Sequence, residues 1–311
     1  MPLEPNLARM LAGWQHAARY LGPALLGQPD VPWVKAREVY SQELADLLPP
    51  PDGVSFESTT LGGVPTMLVT PDNADKSRAL LYIHGGGYVH GAVEPYRVLT
   101  GEYAKRLGIP VYVPDYRQAP EHPFPTPIQD VFTVYEELVN RGLHTGSLAV
   151  SGDSAGGAMA ITVMRWARDR GLDLPVAAVS ISPWADLTNT GASMRTRDGL
   201  DPLVNETTLN QLAATFLQGA LPTDPDASPV FADVRALPAT LIQIGENEVM
   251  LDNALDLGRN LAHQRVRITL EVWPEMFHVW HMFAGHSPLA TEALENAVAF
   301  ITREFSRSRR A

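Results

Sequence analysis

Short apolar runs alternate with amphipathic stretches along most of the chain. The apolar runs are Ala79–Ile83, Val111–Val113, Leu148–Ser151, Val176–Ile181, Thr240–Ile244 and Ile268–Trp273. Between them, apolar residues at helical spacing predict helices near residues 95–107, 127–141, 155–170, 252–264 and 289–305. An apolar strand followed by an amphipathic helix is typical of a mostly parallel sheet that is covered on both faces.

The first two strands of this predicted sheet differ from the rest. Val54–Thr60 and Val64–Thr70 are β-prone runs joined by Leu61-Gly62-Gly63, which predicts an antiparallel hairpin. With the six later runs, the pattern predicts an α/β fold with an eight-stranded, mostly parallel sheet and helices on both faces.

Two segments fall outside the alternation. Residues 1–50 have a helical pattern that ends at Pro49-Pro50-Pro51-Asp52-Gly53, and residues 187–225 are a polar interruption with a helical stretch around 205–217. Open α/β sheets bind ligands at the carboxyl ends of their strands. We therefore expect an N-terminal cap segment, 1–50, and a catalytic domain, 51–311, whose insertion at about 187–225 completes a helical cap over the site.

The first chemical motif is Gly152-Asp153-Ser154-Ala155-Gly156, which fits the pattern G-x-S-x-G. It follows the run Leu148–Ser151 and precedes a predicted helix, as a sharp strand-to-helix turn requires. Such a turn exposes the serine hydroxyl above the sheet, beside the N-terminal dipole of the helix. Ser154 is therefore the candidate nucleophile.

The second motif, His84-Gly85-Gly86-Gly87, directly follows the run Ala79–Ile83. A glycine loop in this place lets backbone N–H groups point into an open site. Together with the N–H of Ala155, which follows the nucleophile, Gly85, Gly86 and Gly87 are predicted to form an oxyanion hole.

A nucleophilic serine needs a base, and in this fold the base is a histidine that follows an acid in the chain. His278 comes just after the last predicted strand, where the final catalytic loop belongs. His263 falls in a predicted surface helix, while His281 and His286 are better explained as helix and loop residues. His278 is therefore the candidate base.

The acid is expected after the run Thr240–Ile244. Glu248 is the main candidate, with Glu246 as a lesser rival and Asp252 as the residue that begins or caps the next helix. Asp201, in Asp201-Pro202-Leu203, lies in the predicted insertion and follows no core strand. We therefore expect it to have no catalytic role.

In five motifs the sequence resembles the hormone-sensitive-lipase-like esterases, which are bacterial lipolytic family IV of the α/β-hydrolases. The matching segments are His84–Tyr88, Asp115–Pro125, Gly152–Gly157, Ser182–Leu187 and Met276–Trp280. The form Gly-Asp-Ser-Ala-Gly points to the subgroup named after it. The resemblance implies the α/β-hydrolase fold with a cap, and a triad of Ser154, an acid three residues after a glycine, here Glu248 after Gly245, and His278. Tyr88 and Trp184, beside these motifs, are candidate pocket residues.

The resemblance implies a carboxylesterase, a serine hydrolase that acts on short-to-medium acyl esters through an acyl-enzyme. A lactone hydrolase would use the same residues on a cyclic ester, and an acyltransferase would need an alcohol to outcompete water. An inactive ligand-binding receptor of the same fold is the remote alternative, because plant gibberellin receptors resemble this fold but lack the histidine that this chain has.

Composition narrows the partners and the compartment. The net charge of −11 disfavours nucleic acid and anionic membranes, and no apolar run approaches the roughly 18 residues that span a bilayer. There is no cysteine, so disulfides and thiolate metal sites are excluded. We expect no secretory signal, a cytoplasmic location, no metal and no cofactor, and a small-molecule ester or lactone as substrate, with a homodimer left open.

Overall fold

The computed structural model describes residues 3–25, 32–144 and 146–308. Its centre is an eight-stranded sheet in the order β1-β2-β4-β3-β5-β6-β7-β8. Pairs β1–β2 and β2–β4 are antiparallel and the others are parallel. The strands are β1 Val54–Leu61, β2 Val64–Pro71, β3 Ala79–Ile83, β4 Val111–Pro114, β5 Leu148–Asp153, β6 Ala177–Ile181, β7 Ala239–Gly245 and β8 Ile268–Trp273.

Ten α-helices surround this sheet among the described residues. They are α1 Pro5–Ala18, α2 Gly22–Leu25, α3 Trp33–Ala45, α4 Arg97–Leu107, α5 Thr126–Asn140, α6 Ala155–Asp169, α7 Ser193–Thr196, α8 Glu206–Leu217, α9 Leu251–His263 and α10 Pro288–Ser308. Short 3₁₀ turns cover Glu94–Tyr96, Pro229–Phe231 and Trp280–Phe283.

The two faces of the sheet pack against different helices because side chains alternate along each strand. In β3, Leu80 and Tyr82 join the apolar cluster that contains residues of α4 and α10, whereas Leu81 and Ile83 join the cluster that contains residues of α5 and α6. A third cluster joins α6 and α9 beside β7. The predicted fold class, a mostly parallel sheet with helices on both faces, is confirmed.

The two segments outside the strand–helix alternation meet above the sheet. In the N-terminal segment, Gln15 Nε2 of α1 donates to the Pro202 carbonyl of the β6–β7 connection at 3.1 Å, and α2 contacts α8. Both segments contribute residues to one cavity, described below. Residues 1–2 and 26–31 of the predicted cap lie outside the described part of the chain, and the division into cap and catalytic domain stays a prediction.

No helix among the described residues combines the length and the apolar character needed to cross a bilayer.

Candidate active site

Ser154 lies at the turn between β5 and α6. Its backbone has φ 54° and ψ −121°, which puts a non-glycine residue in the left-handed half of conformational space. Such strain persists only where the surroundings enforce it and is typical of functional turns. The Ser154 N–H donates to the Ile181 carbonyl at 2.9 Å, and its own carbonyl accepts from Trp184 N–H at 3.1 Å. The neighbouring strand therefore holds the turn in place.

The glycines of the motif allow the turn to pack against β3. A Cβ on Gly156 would lie 2.0 Å from the Ile83 carbonyl oxygen, and one on Gly152 would lie 2.5 Å from the Gly156 oxygen. Any side chain at these positions would force backbone apart. The sequence interpretation of these two glycines as close-packing residues is confirmed.

His278 and Glu248 are hydrogen-bonded in the loops that follow β8 and β7. The distance from His278 Nδ1 to Glu248 Oε2 is 2.9 Å. A carboxylate can only accept, so we assign the proton to Nδ1, which leaves Nε2 as the basic nitrogen. Both His278 and Ser154 line the same cavity. The structure therefore brings the three predicted triad residues to the carboxyl edge of the sheet.

Glu248 is fully buried and held by two further donors. Its Oε1 accepts from the Gly245 N–H at 2.7 Å and from the Ser182 hydroxyl at 2.7 Å. The Ser182 oxygen in turn accepts from the Val279 N–H at 3.2 Å. Ser182 thus connects the acid to the loop that carries the histidine. Ser182 lies in one of the segments that match the family, but the sequence alone did not predict a role for it.

Several charges set the pKa of His278. Burial alone would lower the pKa, but the hydrogen bond and charge of Glu248, followed by the charges of Asp201 and Asp153, raise it above its ordinary value. Asp201 is buried, with Oδ1 accepting from the N–H groups of Leu203 and Val204. Burial raises the pKa of Asp201 to about 7. Asp201 is not hydrogen-bonded to His278, but its charge helps to raise the pKa of His278. The sequence alone did not predict this effect.

The three glycines of the loop after β3 differ in whether their N–H groups already have an acceptor. The Gly85 N–H already donates to Tyr96 Oη at 2.9 Å and to Asp153 Oδ1 at 3.1 Å. The Gly86 and Gly87 N–H groups have no acceptor among the described residues. The inclusion of Gly85 in the donor set therefore needs correction, because internal acceptors occupy its N–H. Ala155 begins α6, where helical N–H groups lack an intrahelical partner.

Asp153 anchors the glycine loop from below. Besides the Gly85 N–H, it accepts from the hydroxyls of Tyr82 at 2.8 Å and Tyr96 at 2.9 Å. Burial raises the pKa of Asp153 to about 6 although these bonds act to lower it. The Tyr116 hydroxyl adds a bond to the His84 carbonyl at 2.9 Å, and its ring stacks on His84. Tyr116, from the segment that follows β4, thus supports the loop.

The cavity above Ser154 has a volume of about 250 Å³. Its wall is mainly apolar, with Trp14, Tyr40 and Leu44 from the N-terminal segment and Leu203, Leu209 and Leu212 from the β6–β7 connection. The two segments predicted to form a cap therefore both face the nucleophile.

The two predicted pocket residues have different positions. Trp184 borders the cavity, with its indole N–H bonded to Asn189 Oδ1 at 2.9 Å. Tyr88 is not among the lining residues, and its ring stacks on Phe216 at 3.9 Å between centroids within the core. The prediction of Tyr88 as a pocket residue is wrong because its side chain is buried against α8.

The other candidate histidines and acids lie away from Ser154. His281 is fully buried, and its Nε2 donates to Gln243 Oε1 at 3.1 Å. His263 is exposed at the end of α9. Asp252 lies in the first turn of α9 and accepts from the Ser193 N–H at 2.9 Å. Across residues 3–25, 32–144 and 146–308, no three acidic or histidine side chains are grouped to hold a metal ion.

Comparisons with known proteins identify the family. Residues 80–282 match the α/β hydrolase fold family. An acetyl-hydrolase of Streptomyces hygroscopicus is 39% identical over 254 residues, covering 82% of this chain and 83% of that protein. An ethyl acetate hydrolase of Pseudomonas putida is 34% identical over 266 residues, covering 81% and 82%. The crystal structure of an esterase from the bacterial hormone-sensitive lipase family superposes with a TM-score of 0.90 at 34% identity, covering 98% and 100% of the two chains.

The chain belongs to the α/β-hydrolase fold family, and within it to the hormone-sensitive-lipase-like esterases. It is a carboxylic ester hydrolase of that group.

Proposed function

We propose that the enzyme hydrolyses short-to-medium acyl esters through an acyl-enzyme on Ser154, with His278 as the base and Glu248 as the acid. The observation that carries the proposal is the 2.9 Å bond between His278 Nδ1 and Glu248 Oε2, beside the cavity that holds Ser154. This bond leaves Nε2 free to take the serine proton.

In the proposed reaction, the Ser154 hydroxyl attacks the ester carbonyl while His278 Nε2 accepts its proton. The carbonyl oxygen becomes an oxyanion bound by the N–H groups of Gly86, Gly87 and Ala155. Glu248 keeps the imidazole in the productive tautomer and stabilises its charged form. The imidazolium then protonates the departing alcohol. Water repeats the sequence on the acyl-enzyme, which releases the acid and restores Ser154.

The size and lining of the cavity support a small substrate. Its volume of about 250 Å³ lies below the roughly 300–1,000 Å³ of sites for drug-sized ligands. Its mainly apolar wall suits a short acyl chain. Lactone ring opening would use the same residues and stays an alternative reaction. A cytoplasmic location and a homodimer stay predictions.

The experiment is hydrolysis of a series of p-nitrophenyl esters from acetate to palmitate, beside a panel of lactones, by the wild-type enzyme and Ser154→Ala. We expect kcat/KM to be highest for short acyl chains and to fall steeply beyond medium length. Turnover by Ser154→Ala should be lower by several orders of magnitude, with an unchanged thermal midpoint. A folded Ser154→Ala protein that keeps a tenth of wild-type turnover would place the nucleophile elsewhere.

A further inference from the structure

Two polar side chains in the cavity wall have no part in the proposed chemistry. Tyr40 comes from α3 in the N-terminal segment, and His90 comes from the loop that follows the oxyanion glycines. Their rings meet edge to face, with centroids 5.2 Å apart and an interplanar angle of 82°. The rest of the wall is mainly apolar, so this pair is one of the few polar features that a substrate would meet outside the reacting groups, beside Tyr96, Asp153 and Thr208.

The Tyr40 hydroxyl is available as a donor. Its oxygen accepts from the Trp14 indole N–H at 3.0 Å, and no described residue accepts the hydroxyl proton. Burial raises the pKa of Tyr40 above its ordinary value, although the Trp14 bond opposes this, so the proton stays in place at neutral pH. The hydrogen bond from the Trp14 indole holds the Tyr40 ring in place. The Tyr40 O–H can then donate to an acceptor on a substrate in the cavity.

His90 is fixed to the oxyanion loop and is uncharged. The backbone N–H of His90 donates to the Gly86 carbonyl at 2.9 Å. The His90 carbonyl oxygen packs so tightly against Gly86 that a Cβ on Gly86 would lie 1.8 Å from it. Burial lowers the pKa of His90 to about 3, helped by the positive charge of Arg37. A neutral imidazole has one donor and one acceptor nitrogen. Nδ1 is buried and has no partner in the described part of the chain.

We propose that Tyr40 and His90 form a subsite that binds a hydroxyl group of the substrate, so that the enzyme prefers hydroxylated esters to plain alkyl esters of the same size. A hydroxyl can accept from the Tyr40 O–H and donate to the acceptor nitrogen of His90. The inference rests on the proposed ester hydrolysis at Ser154.

Charged substrate groups fit this subsite less well. The nearby guanidinium of Arg37 is already bound to the Val89 and Ala119 carbonyls and to Glu121, so it is not free to bind a carboxylate of the substrate. Asp153 borders the cavity, but its carboxylate oxygens already accept from the Tyr82 and Tyr96 hydroxyls and the Gly85 N–H, so it is less suited to bind an ammonium group. A neutral group that both donates and accepts matches the pair best.

Selectivity follows from the cost of leaving these groups unpaired. A plain alkyl ester would cover Tyr40 and His90 without hydrogen-bonding them, and buried polar groups without partners are costly. Sites built to hydrogen-bond a hydroxyl reject analogues that lack it more strongly than apolar pockets reject an added group.

The test compares two matched substrate pairs. One pair is p-nitrophenyl butyrate and its β-hydroxy counterpart, which places the hydroxyl on the acyl side. The other is propyl acetate and the acetate monoester of ethylene glycol, which places it on the alcohol side. In at least one of the two pairs, we expect the wild-type enzyme to have the higher kcat/KM on the hydroxylated member. No such preference in either pair would overturn the subsite. Tyr40→Phe and His90→Leu should each reduce the hydroxylated-to-plain ratio by about fivefold or more, as for loss of one buried hydrogen bond.

Tyr20→Phe is the matched control, because it removes the same hydroxyl from an exposed tyrosine of the N-terminal segment that does not border the cavity. It should keep the wild-type ratio. An unchanged ratio in a folded Tyr40→Phe or His90→Leu protein, or an equal drop in Tyr20→Phe, would overturn the subsite while plain-ester turnover still supports the proposed function. Lack of turnover on every substrate would overturn both. Thermal midpoints confirm that each variant is folded, and if one of the two subsite variants does not fold, the other decides the test.

Discussion

At the scale of single residues, two acids near the end of β7 have different surroundings. Glu248 divides its oxygens between His278 on one side and Gly245 and Ser182 on the other. Asp252, four residues later, accepts from the Ser193 N–H and lies in the first turn of α9. Only the first of these carboxylates contacts an imidazole, so substitutions should separate catalysis from local stability.

Glu248→Gln should lower turnover by about three to four orders of magnitude, because an amide that donates to Nδ1 holds the imidazole in the wrong tautomer. Asp252→Asn should keep turnover within about tenfold of wild type and lower the thermal midpoint slightly, since it weakens a helix-terminal contact. Steady-state kinetics and thermal melts of both variants check this. A large rate loss in Asp252→Asn beside a near-active Glu248→Gln would transfer the acid role.

The pH dependence should report His278. Because neighbouring carboxylates raise its pKa above 6.5, kcat/KM should rise with pH through a midpoint above that value, as the base becomes neutral. In Asp201→Asn one of these negative charges is gone, so the midpoint should shift downward. The pKa of Asp201 is itself about 7, so its charge is fully present only above that pH.

Profiles of kcat/KM against pH for the wild type, Asp201→Asn and Asp198→Asn measure this shift. Asp198 lies in the same connection but is exposed and is not among the charges that raise the pKa of His278, so its variant should keep the wild-type midpoint. An upward shift in Asp201→Asn, or an equal shift in both variants, would contradict the assigned electrostatics.

At the scale of elements, the glycine loop after β3, which carries the proposed oxyanion donors, depends on the left-handed backbone of Gly86. Its φ is 113°, and the His90 carbonyl occupies the space where a side chain would begin. The backbone of Gly86 therefore determines both the conformation of the glycine loop and the direction in which the Gly86 N–H points. The same contact connects the proposed hydroxyl subsite to the proposed oxyanion donors.

Gly86→Ala should lower kcat by about two to three orders of magnitude, because the loop must move and withdraw a donor from the oxyanion. Gly63→Ala is the control: its φ is 86°, and nothing lies within 4 Å of a Cβ there, in a hairpin remote from Ser154. Both variants carry the backbone strain of alanine at positive φ, but only the first should lose catalysis. Equal turnover in the two folded proteins would remove Gly86 from the site.

The elements that the sequence predicted are those with a local signal. Six apolar runs and one β-hairpin pattern predicted all eight strands, and the motifs located Ser154, Glu248 and His278, which the structure brings together. What the sequence missed depends on contacts between distant segments. The acceptors of the Gly85 N–H include Asp153, 68 residues away, and the Tyr88 ring packs on Phe216. Periodicity and spacing carry no information on such pairs.

At the scale of the whole molecule, the N-terminal segment is tied to the body beside the active site. Arg37 of α3 donates to the Val89 carbonyl at 2.6 Å, to the Ala119 carbonyl, and to Glu121 at 2.7 Å. Val89 directly precedes His90 in the cavity wall. One arginine therefore joins the predicted cap to the loop after β3 and to the segment that follows β4.

Arg37→Met should raise KM several-fold with a smaller change in kcat, because the cavity wall loosens while the triad is untouched. The thermal midpoint should fall by a few degrees, since two carbonyls lose a charged donor. Lys35→Met is the control, as its ion pair with Glu38 is exposed and surface pairs contribute little. Identical KM values and melting points for the two variants would show that Arg37 does not couple the segments.

Covalent trapping tests the central claim, a nucleophilic Ser154 activated by His278, most directly. The wild-type enzyme, Ser154→Ala and His278→Ala are treated with diethyl p-nitrophenyl phosphate, and intact and peptide masses are recorded. The account predicts one diethylphosphoryl group per wild-type chain, on the peptide that contains Ser154, none on Ser154→Ala, and greatly slowed labelling of His278→Ala. Stoichiometric labelling of a folded Ser154→Ala protein, or modification at another residue of the wild type with loss of activity, would contradict it.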